Sequence, residues 1–326
     1  MWFKNLRLYC LTQPFDITPE ELETRLSEHQ FVPCANYEKS RLGWAAPLGD
    51  AAPVSEDSDT EIEPMLTHVI GDCIMICARK QDRLLPASVV REATAEKITE
   101  IEARQGRKVY RKEKRDIQDD VFTSLLPRAF TRSTQTFAYI SRTDGLLVVD
   151  AASAPKAEEL LNLLRDSLGS FQVALPDSKR APSDVMTAWL KKGKATDKFE
   201  IHEDCELFNP IDSSNVVRCK GQDLVSDEIQ THLEAGKQAK QLGVLWNSQM
   251  SCSLVDDLSV KRLRFENIKE ESDSFEEESG AQKFDQEFAL MTLQLSAFFK
   301  ALFNAFGGLE DAQLKILPDS RARKDD

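Results

Sequence analysis

The chain has 326 residues, 41% of them hydrophobic and 30% charged, with 42 Lys and Arg against 55 Asp and Glu for a net charge of −13. This composition excludes a mainly disordered chain, a collagen-like repeat and a multi-span membrane protein, and it leaves enough apolar material for a sizeable core. The net charge taken alone argues against a nucleic-acid partner, an argument that holds only if the charge is evenly spread.

Residues 2–11 include Trp2, Phe3, Leu6, Leu8 and Tyr9 and predict a first strand. Thr18, Pro19 and Glu21 form a helix start, with Thr18 as N-cap and Glu21 closing a capping box, for a helix running to about His29. The acidic stretch 51–63 reads as a surface loop. Residues 68–78 (HVIGDCIMICA) predict a buried strand pair or hairpin. Residues 87–126 are helical in composition, with a thin apolar stripe of Val90, Ala93, Ile98 and Ile101. Gly106 interrupts them, which gives two helices or one kinked helix, expected to project from the body. Asp144-Gly145 signals a hairpin turn between strands at 137–140 and 146–150, and a helix follows at 155–168. Residues 176–182 read as a linker. Beyond it the pattern predicts a strand at 216–220, a helix near 226–235, one long strand at 243–255 and another at 259–265. The last helix, 281–306, carries Phe284, Phe288, Met291, Leu295, Phe298 and Leu302 at spacings of four and three, widened by Phe299, Phe303 and Phe306. Its polar side has few bases, unlike a helix drawn to anionic lipid. The heptad-like spacing tilts the reading from internal core toward a partner helix, so these six residues are the candidate dimer interface.

The seven cysteines are scattered and odd in number, which does not make a disulfide framework. Cys73 with Cys77, and His202 with Cys205, lack a second pair at zinc spacing, so no metal site is expected. The N-terminus carries charges where a signal peptide needs apolar residues, and Lys300 breaks the C-terminal apolar run, so neither a leader nor a membrane span is expected. A cytoplasmic chain with reduced thiols follows. No nucleophile elbow, phosphate loop or dinucleotide fingerprint occurs, and the four histidines have no triad pattern, so nothing positive supports an enzyme or a cofactor.

Charge is uneven. Residues 50–63 hold six acids and no base, and residues 266–278 hold seven acids with Lys269 alone. Residues 104–115 hold seven bases (Arg104, Arg107, Lys108, Arg111, Lys112, Lys114 and Arg115) against Glu113. Helical i,i+4 pairing cannot neutralise such a run. It leads into Arg128-Ala129-Phe130-Thr131-Arg132, an aromatic between two bases, a combination suited to phosphate neutralisation with stacking or insertion.

Long strings of the chain resemble the RdgC family of proteobacterial recombination-associated proteins: WFKNL at 2–6, LTHVIGDCIMICARK at 66–80, SLLPRAFTRSTQT at 124–136, KAEELLNLLRDSLGS at 156–170, SDEIQTHLEAGK at 226–237 and KRLRF at 261–265. The resemblance implies an α+β subunit of mixed or antiparallel sheets, with a protruding charged helical finger and a C-terminal helix, closing into a ring-shaped homodimer. The division it suggests is 1–78 with 127–176, a finger at 79–126, and a C-terminal region at 177–326. It also implies sequence-non-specific binding of duplex DNA through the ring, restraint of the RecA recombinase and a nucleoid-associated location. Family DNA contacts map onto Arg128 and Phe130, and onto Lys220 and Gln222 in CKGQDL, where Gly221 replaces a second base. The competing reading is a non-enzymatic cytoplasmic scaffold whose basic finger binds an acidic protein partner.

Overall fold

The computed structural model describes residues 2–49, 65–196, 198–266 and 279–310. Both acidic runs lie almost wholly outside the described residues. The chain divides into two compact units, one of Met1–Leu26, Ala46–Cys77 and Thr136–Asp326, the other of Ser27–Ala45 and Ala78–Gln135.

The larger unit is built on antiparallel strands. β1 (Leu6–Leu11) begins later than the sequence pattern predicts, and it is followed by α1 (Pro19–Ser27). Thr18 Oγ1 accepts the Glu21 amide at 3.2 Å, but the Glu21 carboxylate turns to Arg25 at 2.6 Å, so only half of the capping box forms. β2 (Ser40–Ala45) belongs to the smaller unit. The expected hairpin is β3 (Thr67–Ile70) with the start of β4 (Cys73–Leu84), paired from Thr67–Ile76 to Ile70–Cys73. β5 (Phe130–Ser141) and β6 (Leu146–Asp150) pair around the Asp144-Gly145 turn as expected, and α4 (Ala154–Leu168) follows.

Four elements have no counterpart in the sequence-based expectations: β2, the short β7 (Val173–Ala174), α5 (Pro182–Lys192) and β8 (Phe199–Phe208). The single long strand expected at 243–255 is two strands, β10 (Gln238–Trp246) and β11 (Met250–Val255). Asn247 and Ser248 both adopt positive φ, at 53° and 52°. With Gln249 they make a three-residue connection, closed by the Gln249 amide donating to Trp246 O at 3.0 Å across the two left-handed residues. β9 (Val216–Cys219), α6 (Asp227–Glu234) and β12 (Val260–Phe265) lie where predicted. The strand order in this unit is β4-β5-β6-β1-β12-β11-β10-β8-β9, with β3 paired to β4 and β7 to β1.

Helix α7 (Gly280–Ala305) begins with a complete capping box: Ser279 Oγ accepts the Gln282 amide, and Gln282 Oε1 accepts the Ser279 amide. It is long and apolar enough to cross a membrane by length and composition, contrary to the expectation that no such segment exists. Its apolar face, however, is filled by the chain itself. Phe288 meets Tyr139 of β5, while Phe298 meets Phe199 of β8 and Trp246 of β10, with ring centroids 5.6–6.0 Å apart. Trp189 of α5 stacks on both Phe199 and Phe306. Phe288, Met291, Leu295, Phe298 and Leu302 are buried and Phe284 is partly buried in the same core. This corrects the assignment of the stripe to a subunit interface, because side chains closed off inside one chain have no surface left to offer a second copy. The heptad-like spacing misled because a helix crossing a sheet and a helix facing a partner need the same stripe. The large apolar side chain that α7 does expose is Leu293, at 71%.

Removing a buried Phe costs roughly 3–5 kcal/mol, whereas exposed positions change stability by about 0.5 kcal/mol or less. Phe298→Ala is therefore expected to lower unfolding stability in urea by that larger amount, and Leu293→Ala to leave it nearly unchanged.

Candidate nucleic-acid interface

The smaller unit carries most of the candidate residues. It contains β2, residues 78–84 of β4, residues 130–135 of β5 and two helices, α2 (Ala87–Gln105) and α3 (Arg111–Leu125). Gly106, at φ 65°, is the left-handed C-cap of α2 and returns its amide to Glu102 O. A Cβ there would meet nothing, so the glycine is required by its dihedral and not by space. Of the two alternatives open at Gly106, the chain forms two helices.

The turn between them is held from inside. Glu102 Oε1 accepts the Val109 amide at 2.9 Å, and Val109 is buried. Arg107 donates to both carboxylate oxygens of Glu113 at 2.8 Å. That ion pair lowers the Glu113 carboxyl from its ordinary range and raises Arg107. Arg107 is thus partly committed within the chain and differs from the other bases of the run. Arg104, Lys108, Arg111, Lys112, Lys114 and Arg115 are all exposed. Tyr110 stands among them, 74% exposed at the N-cap of α3. It is absent from the sequence-based candidates, although its position between Lys108 and Arg111 is a usable signal.

Arg128 lies in a one-turn 3-10 helix, Leu126–Arg128, pinned by the buried Leu126. Phe130 opens β5 and is 84% exposed, so the alternative that it packs inside is removed. Residues two apart on a strand share a face, which places Arg132 beside Phe130 and makes both available to a partner. The side chain that fixes this segment is Arg83 of β4. Its guanidinium donates to Leu126 O and Ala129 O at 3.3 and 3.4 Å, to Cys34 O and Ala35 O at 3.3 Å, and to Asn36 Oδ1 at 3.1 Å. One planar fork therefore ties the Arg128 turn to the loop before β2. Nothing local in the sequence marks Arg83, since its partners lie more than 40 positions away.

Lys220 and Gln222 belong to the larger unit. Lys220 is exposed directly after β9. Gln222 is partly occupied, donating its side-chain amide to Glu228 at 2.8 Å, while its backbone amide donates to Glu203 O. Gly221 takes φ 62° and donates its amide to Asp204 Oδ1. A lysine there would be strained in that conformation. Among the described residues no three His, Cys, Asp or Glu side chains gather as a metal ion would need.

A family described as "Putative exonuclease, RdgC" matches residues 1–309. The chain is 43% identical to the recombination-associated protein RdgC of Aeromonas hydrophila, covering 96% of this chain and 100% of that one. Identity to the protein of the same description from Pseudomonas aeruginosa is 44%, over 96% of this chain and 99% of the relative. For Tolumonas auensis it is 41%, over 94% and 99%.

Losing a charged donor from several carbonyls costs about 1–3 kcal/mol. Arg83→Ala is expected to speed amide exchange across residues 126–135 accordingly, while the amides of α7 keep their protection. Unchanged exchange in 126–135 would mean the fork does not hold the turn.

Proposed function

The chain belongs to the RdgC family, and from that membership we propose that it binds DNA without sequence preference and thereby modulates recombination. The observation that carries this reading is the exposed basic turn at 104–115 together with an exposed Arg128-Phe130-Arg132 segment in the same unit. Bases on a rigid, solvent-facing turn neutralise phosphates and release counterions, a term that takes no account of base sequence. An exposed aromatic among them adds a surface for stacking or insertion.

The finer reading follows the family. A homodimer closes around duplex DNA as a ring, sits on the nucleoid in the cytoplasm, and limits RecA by occupying the DNA that RecA needs. The buried face of α7 offers no surface for such a contact, and exposed apolar groups such as Leu293 are the better candidates for it. A non-enzymatic role fits the curated relatives' description as recombination-associated proteins. The family description as an exonuclease keeps cleavage as a second reading.

Gel shifts with unrelated duplexes, with and without magnesium, separate these alternatives. A shift with intact DNA supports binding, shortened products support the nuclease, and no shift at low salt returns the reading to a scaffold for an acidic protein. The joint replacement of Lys108, Arg111 and Lys112 by Ala is expected to weaken binding to all sequences alike. It should reduce the slope of log K against log salt by about 0.9 for each phosphate no longer neutralised. An unchanged slope would place these bases away from DNA.

Phe130→Ala is expected to leave the melting temperature nearly unchanged, as at other exposed positions. The same variant should retain DNA several-fold less well, because stacking or insertion by an aromatic contributes about 1–3 kcal/mol. A melting drop with unchanged binding per folded molecule would contradict this role.

A further inference from the structure

Cys205 of β8 and Cys219 of β9 are paired directly opposite one another in an antiparallel ladder. Opposed residues in such a ladder point to the same face, with Cα atoms about 4.5–5.5 Å apart. A disulfide spans Cα separations of about 4.4–6.8 Å, so the ladder supplies the required spacing. Both thiols are free. Cys73 and Cys77, by contrast, are four apart on one strand and about 13 Å from each other, too far to join.

We propose that Cys205 and Cys219 form a reversible redox site, a cross-strand dithiol that closes to a disulfide and fastens residues 220–222 to β8. β9 has four residues and ends the strand order, pairing among the described residues with β8 alone. An edge strand can close the small remaining gap between Cβ atoms without disturbing a second neighbour. The two thiols also differ in access. Cys205 is buried, which together with Cys219 beside it pushes its thiol up to about 12, whereas Cys219 is only partly covered and lies between the exposed Arg218 and Lys220.

The exchange balances with a low-molecular-weight disulfide such as glutathione disulfide as oxidant. The Cys219 thiolate attacks one sulfur, the S–S bond of the oxidant breaks, and one glutathione leaves as thiolate. Cys205 then gives up its proton as its sulfur attacks Cys219 Sγ, and the second glutathione leaves. Two protein thiols are oxidised, one oxidant disulfide is reduced, and both protons end on glutathione. The mixed disulfide forms at the accessible sulfur, and the buried thiol, adjacent and shielded, resolves it.

The segment this would fasten is already hydrogen-bonded to β8. Gly221 and Gln222 donate their amides to Asp204 Oδ1 and Glu203 O. A covalent tie at Cys219 removes the opening motion that breaks those bonds together, without altering the charge of Lys220.

The full-length protein is equilibrated with glutathione disulfide, alkylated, digested and examined by mass spectrometry, and its amide exchange is compared with the reduced form. The expected product is a peptide linking Cys205 to Cys219, reversed by dithiothreitol, with amides of residues 216–222 exchanging at least about tenfold more slowly. Cys219→Ser and Cys219→Ala should each abolish the link, while Cys10→Ser should leave it intact. Separate alkylation of both thiols after oxidation would overturn the proposal, as would a stable glutathione adduct at Cys219 alone. A disulfide that leaves exchange of 216–222 unchanged would overturn its fastening role.

Discussion

The larger unit depends on the burial of one face of α7 against the antiparallel sheet. The sheet comprises two runs of strands, β4-β5-β6-β1 and β12-β11-β10-β8-β9, joined where β1 meets β12. That junction has a single register pair, Leu6 with Val260, supplemented by the Leu263 amide on Lys4 O. Backbone pairing so brief does little to hold two runs of strands. α7 supplies the rest, since Phe288 packs on Tyr139 of β5 and Met291 Sδ accepts the Phe3 amide just before β1, while Phe298 packs on Phe199 and Trp246 in the other run. Dispersion and apolar burial distributed along one helix thus tie both runs together. The stripe is correspondingly wide and aromatic, as a helix spanning several strands requires.

The smaller unit solves a different problem with polar chemistry. It exposes bases and an aromatic while burying little apolar area along α2 and α3. It does so with fixed local bonds: Glu102 on the Val109 amide, Glu113 on Arg107, and Arg83 on five acceptors from two segments. Arg suits that position because its planar fork can serve several carbonyls at once, which a lysine ammonium cannot do with the same geometry. Holding the turns rigid reduces the ordering cost that a phosphate contact would otherwise carry.

Electrostatics explains how an acidic protein can offer a basic surface. The sequence concentrates its acids in two runs and its bases in a third, and a ligand responds to the field within a Debye length of about 8–10 Å and not to the net charge. Around Lys220 the balance differs: the nearby exposed Arg218 is paired with Glu206, and Asp204 and Glu228 are engaged close by, so acids offset the bases of that segment.

Much of this was legible in the sequence because it depends on local rules. The Asp144-Gly145 hairpin, the α2 stop at Gly106, the N-cap of α1 and the apolar face of α7 all follow from backbone dihedrals and side-chain period, which neighbouring residues set. The basic turn and its exposure follow from having seven bases against one acid. What covers an apolar stripe is not encoded in its spacing, so only the tertiary structure decided that α7 packs on its own sheet. The split at Asn247-Ser248 was equally hidden, because an Asn-Ser pair between apolar runs takes left-handed dihedrals only once two strands demand it. Arg83 and the Cys205–Cys219 pair complete the contrast: their partners lie well along the chain, and strand register, a property of the assembled sheet, is what brings them together.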